Sequence, residues 1–337
     1  MAAAAGVLRP GGLAEEAMMR EGNAMLRLSL LVIALAASLP SLGAPAVAQD
    51  AAAAPGVRMV ELDGRRVRVQ ALGLETRRQG QPVVVFEAGA TSSLDAWRQV
   101  LPEVAAQAPV VAYDRAGLGQ SEPDALPPAP RHVTGRLSRL LRQIGAEPPY
   151  VLVGHSWGGM LIHYYAGHHP EEVVGLVFVD PAPVLTQELS GNLAPFEAIG
   201  AGRRGYEAYW SAFGALVGRA SPAVRAEFET LRRILETPLA KRGLRPLPKV
   251  PIVVIVAAKY LPLPILDQMP FDARAYFGAD LRHRIGLLQE WVLASPDGLL
   301  LVASETTHSV PREAPKLVSW SIGRVLEAAQ RTPGPRR

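Results

Sequence analysis

Short runs of apolar, mostly β-branched residues alternate along this chain with amphipathic segments of helical periodicity. The apolar runs are continuous, which is typical of strands buried on both faces of a parallel sheet. They are Val83–Phe86, Val110–Tyr113, Val151–Val153, Leu176–Val179, Ile252–Val256 and Leu299–Val302. The amphipathic segments lie near residues 95–107, 133–145, 158–169 and 313–329. This order predicts an α/β protein with a doubly wound, mostly parallel sheet and helices on both of its faces.

Two further strands are predicted before the first of these runs. Residues Val57–Leu62 and Val67–Leu72 are rich in β-branched residues, and the pair Asp63-Gly64 stands between them. Asp-Gly between two apolar segments is a strong signal of a β-hairpin. We therefore expect the folded domain, over residues 57–331, to begin with an antiparallel hairpin.

One interval interrupts the alternation of strands and helices. From about residue 184 to 249 no buried-strand run occurs, and helical patterns with prolines at both ends take its place. Its aromatic residues are Phe196, Tyr206, Tyr209, Trp210, Phe213 and Phe228. Ligands of open α/β sheets bind at the carboxyl ends of the strands, where this insertion would lie. We expect a helical cap over the site; a helical decoration unrelated to the site is the alternative.

The first 48 residues have the pattern of a cleaved export signal. Arg27 precedes about ten apolar residues, and the small residues of Ala46-Val47-Ala48 come directly before Gln49. A membrane-spanning helix needs roughly 20 apolar residues, so no stable membrane anchor is predicted. Met25 is an alternative start of the chain. We expect export to the periplasm or the exterior after cleavage near Ala48, with residues 49–56 as a flexible leader.

The composition excludes several classes of protein. The 337 residues are 49% hydrophobic, which is enough for one large α/β domain with a full core. The net charge of +4 comes from scattered arginines without a basic run between aromatic residues, so no nucleic-acid partner is predicted. The chain has no cysteine, no H-E-x-x-H motif and no G-x-G-x-x-G motif after its first strand. We therefore predict neither a metal nor a cofactor.

The segment Gly154-His155-Ser156-Trp157-Gly158 follows a predicted strand directly and precedes a predicted helix. This is the setting that a G-x-S-x-G nucleophile elbow requires, since a sharp turn there exposes the serine at the edge of the sheet. The glycines relieve crowding around the turn, and the helix N-terminus places N–H groups near a developing anion. A chance occurrence of the pentapeptide is the alternative. The motif makes Ser156 the candidate nucleophile.

Together with this motif, four segments resemble the α/β-hydrolase fold family, and they come in the order of that family. They are Phe86–Ala90 in the place of the oxyanion turn, Tyr113–Ser121 similar to the D-R-x-G-x-G-x-S loop, Val177–Pro181 similar to the strand end after the elbow helix, and Thr307–Ser309 in the place of the family's histidine. Ala88 stands where the commoner members carry histidine. The resemblance implies the α/β-hydrolase fold with a helical cap, and a serine hydrolase.

Chain order selects the candidate base among seven histidines. In this fold the histidine of the triad follows both the nucleophile and the acid. Five histidines stand at or before residue 169 and come too early or lie on the wrong elements. His283 falls within a predicted helix between Arg282 and Arg284, which predicts a surface position. His308, on the loop after the last strand, is the candidate base.

Two carboxylates could orient this imidazole. Asp180 directly ends a predicted strand, whereas Asp267 lies some ten residues beyond Val256. Asp180 is favoured because its side chain would emerge at the sheet edge, although an aspartate before Pro181 could also cap a helix. Asp267 stays open as the alternative acid.

Asp114 and Arg115 belong to the loop that resembles the family's D-R-x-G-x-G-x-S motif. Acidic and basic residues in such a loop could take part in the chemistry directly. The interpretation that we favour is structural: they tie the region of the elbow together by charge-assisted hydrogen bonds.

The resemblance implies acyl transfer to and from Ser156. His308 would take the serine proton, the backbone N–H groups of Trp157 and Ala90 would hold the oxyanion, and water would release the acid. The aromatic cap favours a small, moderately hydrophobic ester, lactone or amide as substrate. The same triad could serve a cofactor-free perhydrolase or a C–C hydrolase, and a non-catalytic binding protein of this fold is the remaining alternative.

Overall fold

A computed structural model of the chain describes residues 55–331. Its strands are β1 (Val57–Leu62), β2 (Arg65–Leu72), β3 (Val83–Glu87), β4 (Val110–Tyr113), β5 (Tyr150–His155), β6 (Val173–Val179), β7 (Ile252–Ala257) and β8 (Gly298–Ala303). They form one eight-stranded sheet in the order β1-β2-β4-β3-β5-β6-β7-β8. β2 pairs antiparallel with β1 and β4, and every other pairing is parallel. The predicted mostly parallel sheet is confirmed.

The helices of the sheet layers pack on both faces. They are α1 (Leu101–Ala105), α2 (Pro130–Gln143), α3 (Trp157–His168), α7 (Ala273–Leu293), α8 (Val310–Glu313) and α9 (Pro315–Arg331). The helices α4 (Leu189–Glu197), α5 (Gly202–Val217) and α6 (Pro222–Glu236) lie in the interval between β6 and β7. α2, α3 and α7 contribute side chains to the core on one face, and α1 and α9 to the core on the other. The predicted doubly wound arrangement is therefore confirmed.

The central strands are apolar up to their carboxyl ends because both of their faces are covered. In β3, Val83 and Val85 enter one core, while Val84 and Phe86 enter the other. All five residues of this strand are buried. Successive side chains of a strand point to opposite faces, so a strand between two helical layers carries no polar face. The continuous apolar runs of the sequence are the consequence.

Three helices occupy the interval between β6 and β7: α4 (Leu189–Glu197), α5 (Gly202–Val217) and α6 (Pro222–Glu236). Their aromatic side chains pack mainly against one another and against the start of α7. Phe196 contacts Tyr206 and Tyr209, and it stacks on Tyr276 with 4.3 Å between the ring centroids. These aromatic residues form a hydrophobic core of the cap itself. Their number is explained by this packing and does not by itself describe a substrate.

The N-terminal predictions fall outside the structure. The predicted signal region, residues 1–48, and most of the predicted leader, residues 49–56, precede the first described residue. Within residues 55–331, no helix combines the length and the apolar character that crossing a membrane requires.

Candidate active site

Ser156 occupies a sharp turn between β5 and α3. Its backbone angles are φ 52° and ψ −122°, a conformation that side-chain-bearing residues rarely adopt. Its N–H group donates to the carbonyl of Val179 on β6, at 3.0 Å, which holds the turn. A Cβ atom on Gly158 would lie 2.2 Å from the carbonyl oxygen of Glu87, so only glycine lets α3 approach β3 this closely. The turn thus has the strained geometry expected of a nucleophile elbow.

Ser156, His308 and Asp180 form a continuous chain of hydrogen bonds. The Ser156 hydroxyl donates to Nε2 of His308, with 2.8 Å between the two atoms. Nδ1 of His308 donates to Oδ2 of Asp180 at 2.6 Å. The structure therefore brings the three favoured residues together in the order nucleophile, base and acid, from three loops at the carboxyl edge of the sheet.

Asp180 is a buried carboxylate that is held in its ionised form. It follows β6 with φ 42°, and its Oδ1 atom accepts from the N–H of Ala257 at 3.0 Å and from Nη1 of Arg284 at 2.9 Å. Burial alone would raise the pKa of Asp180, but the charge of Arg284 and the hydrogen bond from His308 outweigh it. The pKa of this carboxyl is held well below its usual range. An anionic Asp180 fixes the proton of His308 on Nδ1.

Asp267, the alternative acid, lies apart from this chain of contacts. It belongs to a 3₁₀ turn, Leu266–Gln268, and its side chain is exposed. The strand β7 ends at Ala257, and the Pro-containing segment that follows does not return Asp267 to His308. Of the two candidate acids, only Asp180 contacts the imidazole.

Arg284 is a site residue that the sequence did not reveal. It lies on α7, is 9% exposed, and bridges Asp180 and Asp280 with hydrogen bonds of 2.9 and 2.8 Å. An Asp and an Arg four residues apart on a helix are the usual pattern of an exposed ion pair, so the pattern indicated a surface. The predicted surface position of His283 is also wrong in part. This histidine is half-buried, and its Nε2 lies 2.7 Å from Oε1 of Gln187.

The turn of residues 88–91, called the oxyanion turn below, packs directly against the elbow. A Cβ atom on Gly89 would lie 2.9 Å from Nδ1 of His155 and 3.3 Å from Cβ of Ser156. Among residues 55–331, the N–H groups of Ala90 and Trp157 have no hydrogen-bond acceptor. Both groups belong to segments that adjoin Ser156. The two predicted oxyanion donors are therefore available beside the serine.

His155 supports the loop that carries His308. Its Nε2–H group donates to the carbonyl oxygen of His308 at 2.7 Å, and the two rings lie 4.8 Å apart. Burial, with a smaller contribution from the neighbouring His308, lowers the pKa of His155 to about 3. His155 is consequently neutral and serves as a fixed donor. Chain order excludes His155 as the base, and no local pattern in the sequence indicates this contact.

Asp114 and Arg115 make the structural contacts that we favoured for them. Asp114 accepts from the N–H groups of Leu94, at 2.7 Å, and Gln120, at 2.8 Å. Arg115 donates to the carbonyl oxygens of Ala88 and Gly89, both at 2.6 Å. Neither side chain contacts the triad.

The triad reaches solvent through His308, whereas Ser156 and Asp180 are buried. The side chain of His308 is 53% exposed. One cavity of about 450 Å³ lies near His163 and Trp291, and another of about 370 Å³ lies between Arg115 and the cap helix α6. Neither cavity is lined by Ser156 or His308.

Within residues 55–331, one group of potential metal ligands occurs, at the opposite edge of the sheet. It consists of His169, Glu171 and Glu172, just before β6, whose ligand atoms lie within 4.8 Å of one another. Glu172 already accepts a hydrogen bond from the hydroxyl of Tyr165 at 2.5 Å. Exposed acidic groups of this kind are common without a metal, and the cluster contacts no triad residue.

Comparisons with known proteins agree with this architecture. A sequence profile described as the alpha/beta hydrolase fold matches residues 82–214. A haloalkane dehalogenase of Bradyrhizobium diazoefficiens is 35% identical over 125 residues, 36% of this chain and 40% of that protein. An epoxide hydrolase of Mycobacterium tuberculosis is 34% identical over 119 residues, 34% of this chain and 33% of that protein. The chain thus spans two fifths or less of these two relatives, and the activities in their names are properties of those proteins.

A solved structure resembles nearly the whole described domain. The crystal structure of a haloalkane dehalogenase loop variant from Bradyrhizobium elkanii superposes with a TM-score of 0.58 and 17% sequence identity, covering 81% of this chain and 97% of the other. The sheet order, the elbow after β5 and the three helices between β6 and β7 are those of the α/β-hydrolase fold. The profile match over residues 82–214 supports the α/β-hydrolase fold family for this chain.

Proposed function

We propose that the protein is a serine hydrolase that cleaves a carboxylic ester, lactone or amide through an acyl-enzyme. The observation that carries this proposal is the chain of hydrogen bonds from Ser156 through His308 to Asp180, at 2.8 and 2.6 Å. Because Asp180 holds the proton on Nδ1, the lone pair of Nε2 faces the serine hydroxyl. His308 can therefore take the serine proton as Ser156 attacks a carbonyl carbon.

The same groups complete the acylation and then carry out the deacylation. Protonated His308 gives its proton to the leaving alcohol or amine, and the N–H groups of Ala90 and Trp157 stabilise the oxyanion of each tetrahedral intermediate. A water molecule, deprotonated by His308, then attacks the acyl-serine, and His308 returns the proton to Oγ of Ser156 as the acid is released. Asp180, which Arg284 keeps ionised, stabilises the imidazolium that forms in each half.

The identity of the nucleophile separates this proposal from the activities named for the two relatives. Attack of a serine oxygen on the saturated carbon of a haloalkane or an epoxide would form an ether, which water does not cleave under these conditions. Attack on an acyl carbon forms an ester, which the same site can hydrolyse. Ser156 at the elbow therefore supports acyl chemistry and disfavours dehalogenation or epoxide opening through a covalent intermediate.

The charges around the triad support an uncharged substrate. The charged side chains bonded to Asp180 and its partner are Arg284 and Asp280, which satisfy one another. Among the described residues, no further ionic side chain is bonded to Ser156 or His308. In the described part of the chain, the triad thus has no ionic partner bonded to it that could pair with a charged substrate group, and we propose a small, moderately hydrophobic, uncharged substrate.

A matched substrate panel tests the proposal. Purified protein and its Ser156→Ala variant are assayed with p-nitrophenyl esters of two to eight acyl carbons, a lactone, an anilide, a 1-haloalkane and a terminal epoxide. We expect ester turnover in the wild-type protein only, with no release of halide or diol. Halide or diol release without ester turnover would contradict the proposal. Absence of all turnover would favour a binding protein of the same fold.

A further inference from the structure

Glu227 is a buried carboxylate of the cap that reaches into the sheet domain. It lies in the middle of α6 and is 3% exposed, although its helix covers the outside of the molecule. Its two oxygens contact residues 112 and 136 positions away in the sequence. A glutamate is almost never buried to this extent unless its charge is paired. The residues bonded to Glu227 show which segment of the sheet domain it holds.

Glu227 binds the oxyanion turn from two directions. Oε2 accepts directly from the N–H of Thr91 at 2.9 Å. Oε1 accepts from Nε of Arg115 at 2.6 Å, and Oε2 lies 3.1 Å from Nη2 of the same residue. The guanidinium in turn holds the carbonyl oxygens of Ala88 and Gly89, both at 2.6 Å. Arg115 also pairs with Glu87, whose Oε1 lies 2.7 Å from Nη1. Glu227 and the Arg115 guanidinium together hold the peptide groups before and after Ala90.

The backbone of this turn is strained at the residue that Glu227 holds. Thr91 has φ 65°, in the left-handed region that a β-branched residue rarely occupies. Strain of this kind persists only where the surrounding structure imposes it. The hydrogen bond from the N–H of Thr91 to Glu227 is a contact that imposes it, since this N–H has no other acceptor among the described residues.

We propose that Glu227 is a positioning residue of the oxyanion hole, so that a competent hole forms only when the cap helix α6 is seated on the sheet domain. This inference rests on the proposed acyl chemistry. Without the carboxylate, Thr91 can relax to negative φ. Arg115 keeps its ion pair with Glu87 but loses the partner that holds its Nε and Nη2 atoms. The N–H of Ala90 then no longer points at the oxyanion. Glu227 is bonded to none of Ser156, His308 and Asp180, so the triad itself is little changed.

A displaced N–H of Ala90 should affect the transition state more than the bound ester. The oxyanion exists in the transition state and not in the bound ester, so a misplaced donor lowers kcat and leaves KM nearly constant. A boronic acid, which forms a tetrahedral adduct with Ser156, should lose affinity by a similar factor. A cap residue that only supported the fold would instead lower the melting temperature without this selective loss.

The experiment uses Glu227→Gln with Glu229→Gln as its matched control. The first substitution keeps the size of the side chain but presents an amide donor to the Arg115 guanidinium, whereas Glu229 is exposed on the same helix. For Glu227→Gln we expect kcat for an activated ester to fall on the order of 10- to 100-fold, with KM within about threefold and boronic acid affinity reduced in parallel. Glu229→Gln should match the wild-type protein. The variant Arg115→Lys keeps the charge but not the several N–H donors of the guanidinium, so it should show the same decrease in kcat and in boronic acid affinity. It serves as the test if Glu227→Gln does not fold.

The outcomes separate the two proposals. Wild-type protein that neither turns over esters nor binds the boronic acid would contradict the proposed function itself. Active wild-type protein with an equally active Glu227→Gln variant would overturn only the role of Glu227. A folded variant in which KM rises while kcat and boronic acid affinity stay constant would overturn it as well.

Discussion

Backbone strain is concentrated at the residues of the candidate site. Four described residues other than glycine have positive φ, and three of them are Thr91, Ser156 and Asp180; the fourth, Asp63, turns the first hairpin. Each such residue costs on the order of 1–3 kcal/mol, so each needs contacts that impose it. Ser156 and Asp180 receive them from neighbouring strands, through hydrogen bonds from their N–H groups to Val179 and Ile255. The strain places both side chains at the same sheet edge.

The role of Asp180 is tested by its amide. Asp180→Asn keeps the shape of the side chain but would favour the wrong tautomer of His308, so turnover of an ester should fall roughly 10⁴-fold. Asp267→Asn is the matched control and should change turnover little, because Asp267 is exposed and does not contact His308. Melting temperatures of both variants distinguish catalytic loss from unfolding. An inactive Asp267→Asn beside an active Asp180→Asn would transfer the role to Asp267.

At the scale of the elements, the site depends on charged residues of α6 and α7. The sequence of each helix gives no sign that these residues are buried. The strands, the hairpin and the elbow were predictable because apolar runs, Asp-Gly and G-x-S-x-G each have local physical causes. Arg284 and Glu227 were not predictable, since each contacts a partner more than 100 positions away in the sequence. On its own helix, each is one charged residue among several. Only the packing of α7 and α6 determines which of these charges is buried.

Helix α7 is expected to stabilise the acid through Arg284. Replacing Arg284 by glutamine removes the main charge that lowers the pKa of Asp180. This pKa should therefore rise, and the buried carboxylate should lose its counter-ion. Loss of one partner of a buried pair costs about 3–5 kcal/mol, so Arg284→Gln should lower the free energy of unfolding by an amount of this order at pH 7. Arg282→Gln, on the exposed side of the same helix, is the control. Equal stability of the two variants in urea would contradict the account.

At the scale of the whole molecule, two buried histidines link stability to pH. Burial lowers the pKa of His155 to about 3 and of His163 to about 4, whereas an unfolded histidine titrates near 6.5. Below pH 6.5 the unfolded chain binds protons that the folded chain does not. The free energy of unfolding should therefore fall as the pH falls from about 6.5 to about 4.

The predicted slope is about 1.4 kcal/mol per pH unit for each of these histidines. Urea unfolding at pH 7, 6 and 5 measures this slope. These pH values lie above the range in which Asp180 titrates. The variant His163→Gln can keep the hydrogen bond to the carbonyl of Arg245 but does not titrate. The slope should therefore decrease by the contribution of one histidine, about 1.4 kcal/mol per pH unit. An unchanged slope in this variant would show that His163 is not the group that binds the proton.

The N-terminal sequence carries a prediction of its own. Residues 27–48 have the pattern of an export signal, and we expect the mature protein to begin at or near Gln49 outside the cytoplasm. N-terminal sequencing of protein from its native host measures this directly. A cytoplasmic product that retains residues 25–48 would rule the prediction out.

Covalent labelling of Ser156 tests the central claim most directly. The protein is treated with a fluorophosphonate, and in parallel with an activated ester under rapid acid quench, and its peptides are analysed by mass spectrometry. We expect both adducts on the peptide that contains Ser156, none in Ser156→Ala, and labelling slowed on the order of 10⁴-fold in His308→Ala, because the serine and its base act as a unit. Labelling that is absent, or equally fast in the Ser156→Ala variant, would contradict a serine hydrolase with Ser156 as its nucleophile.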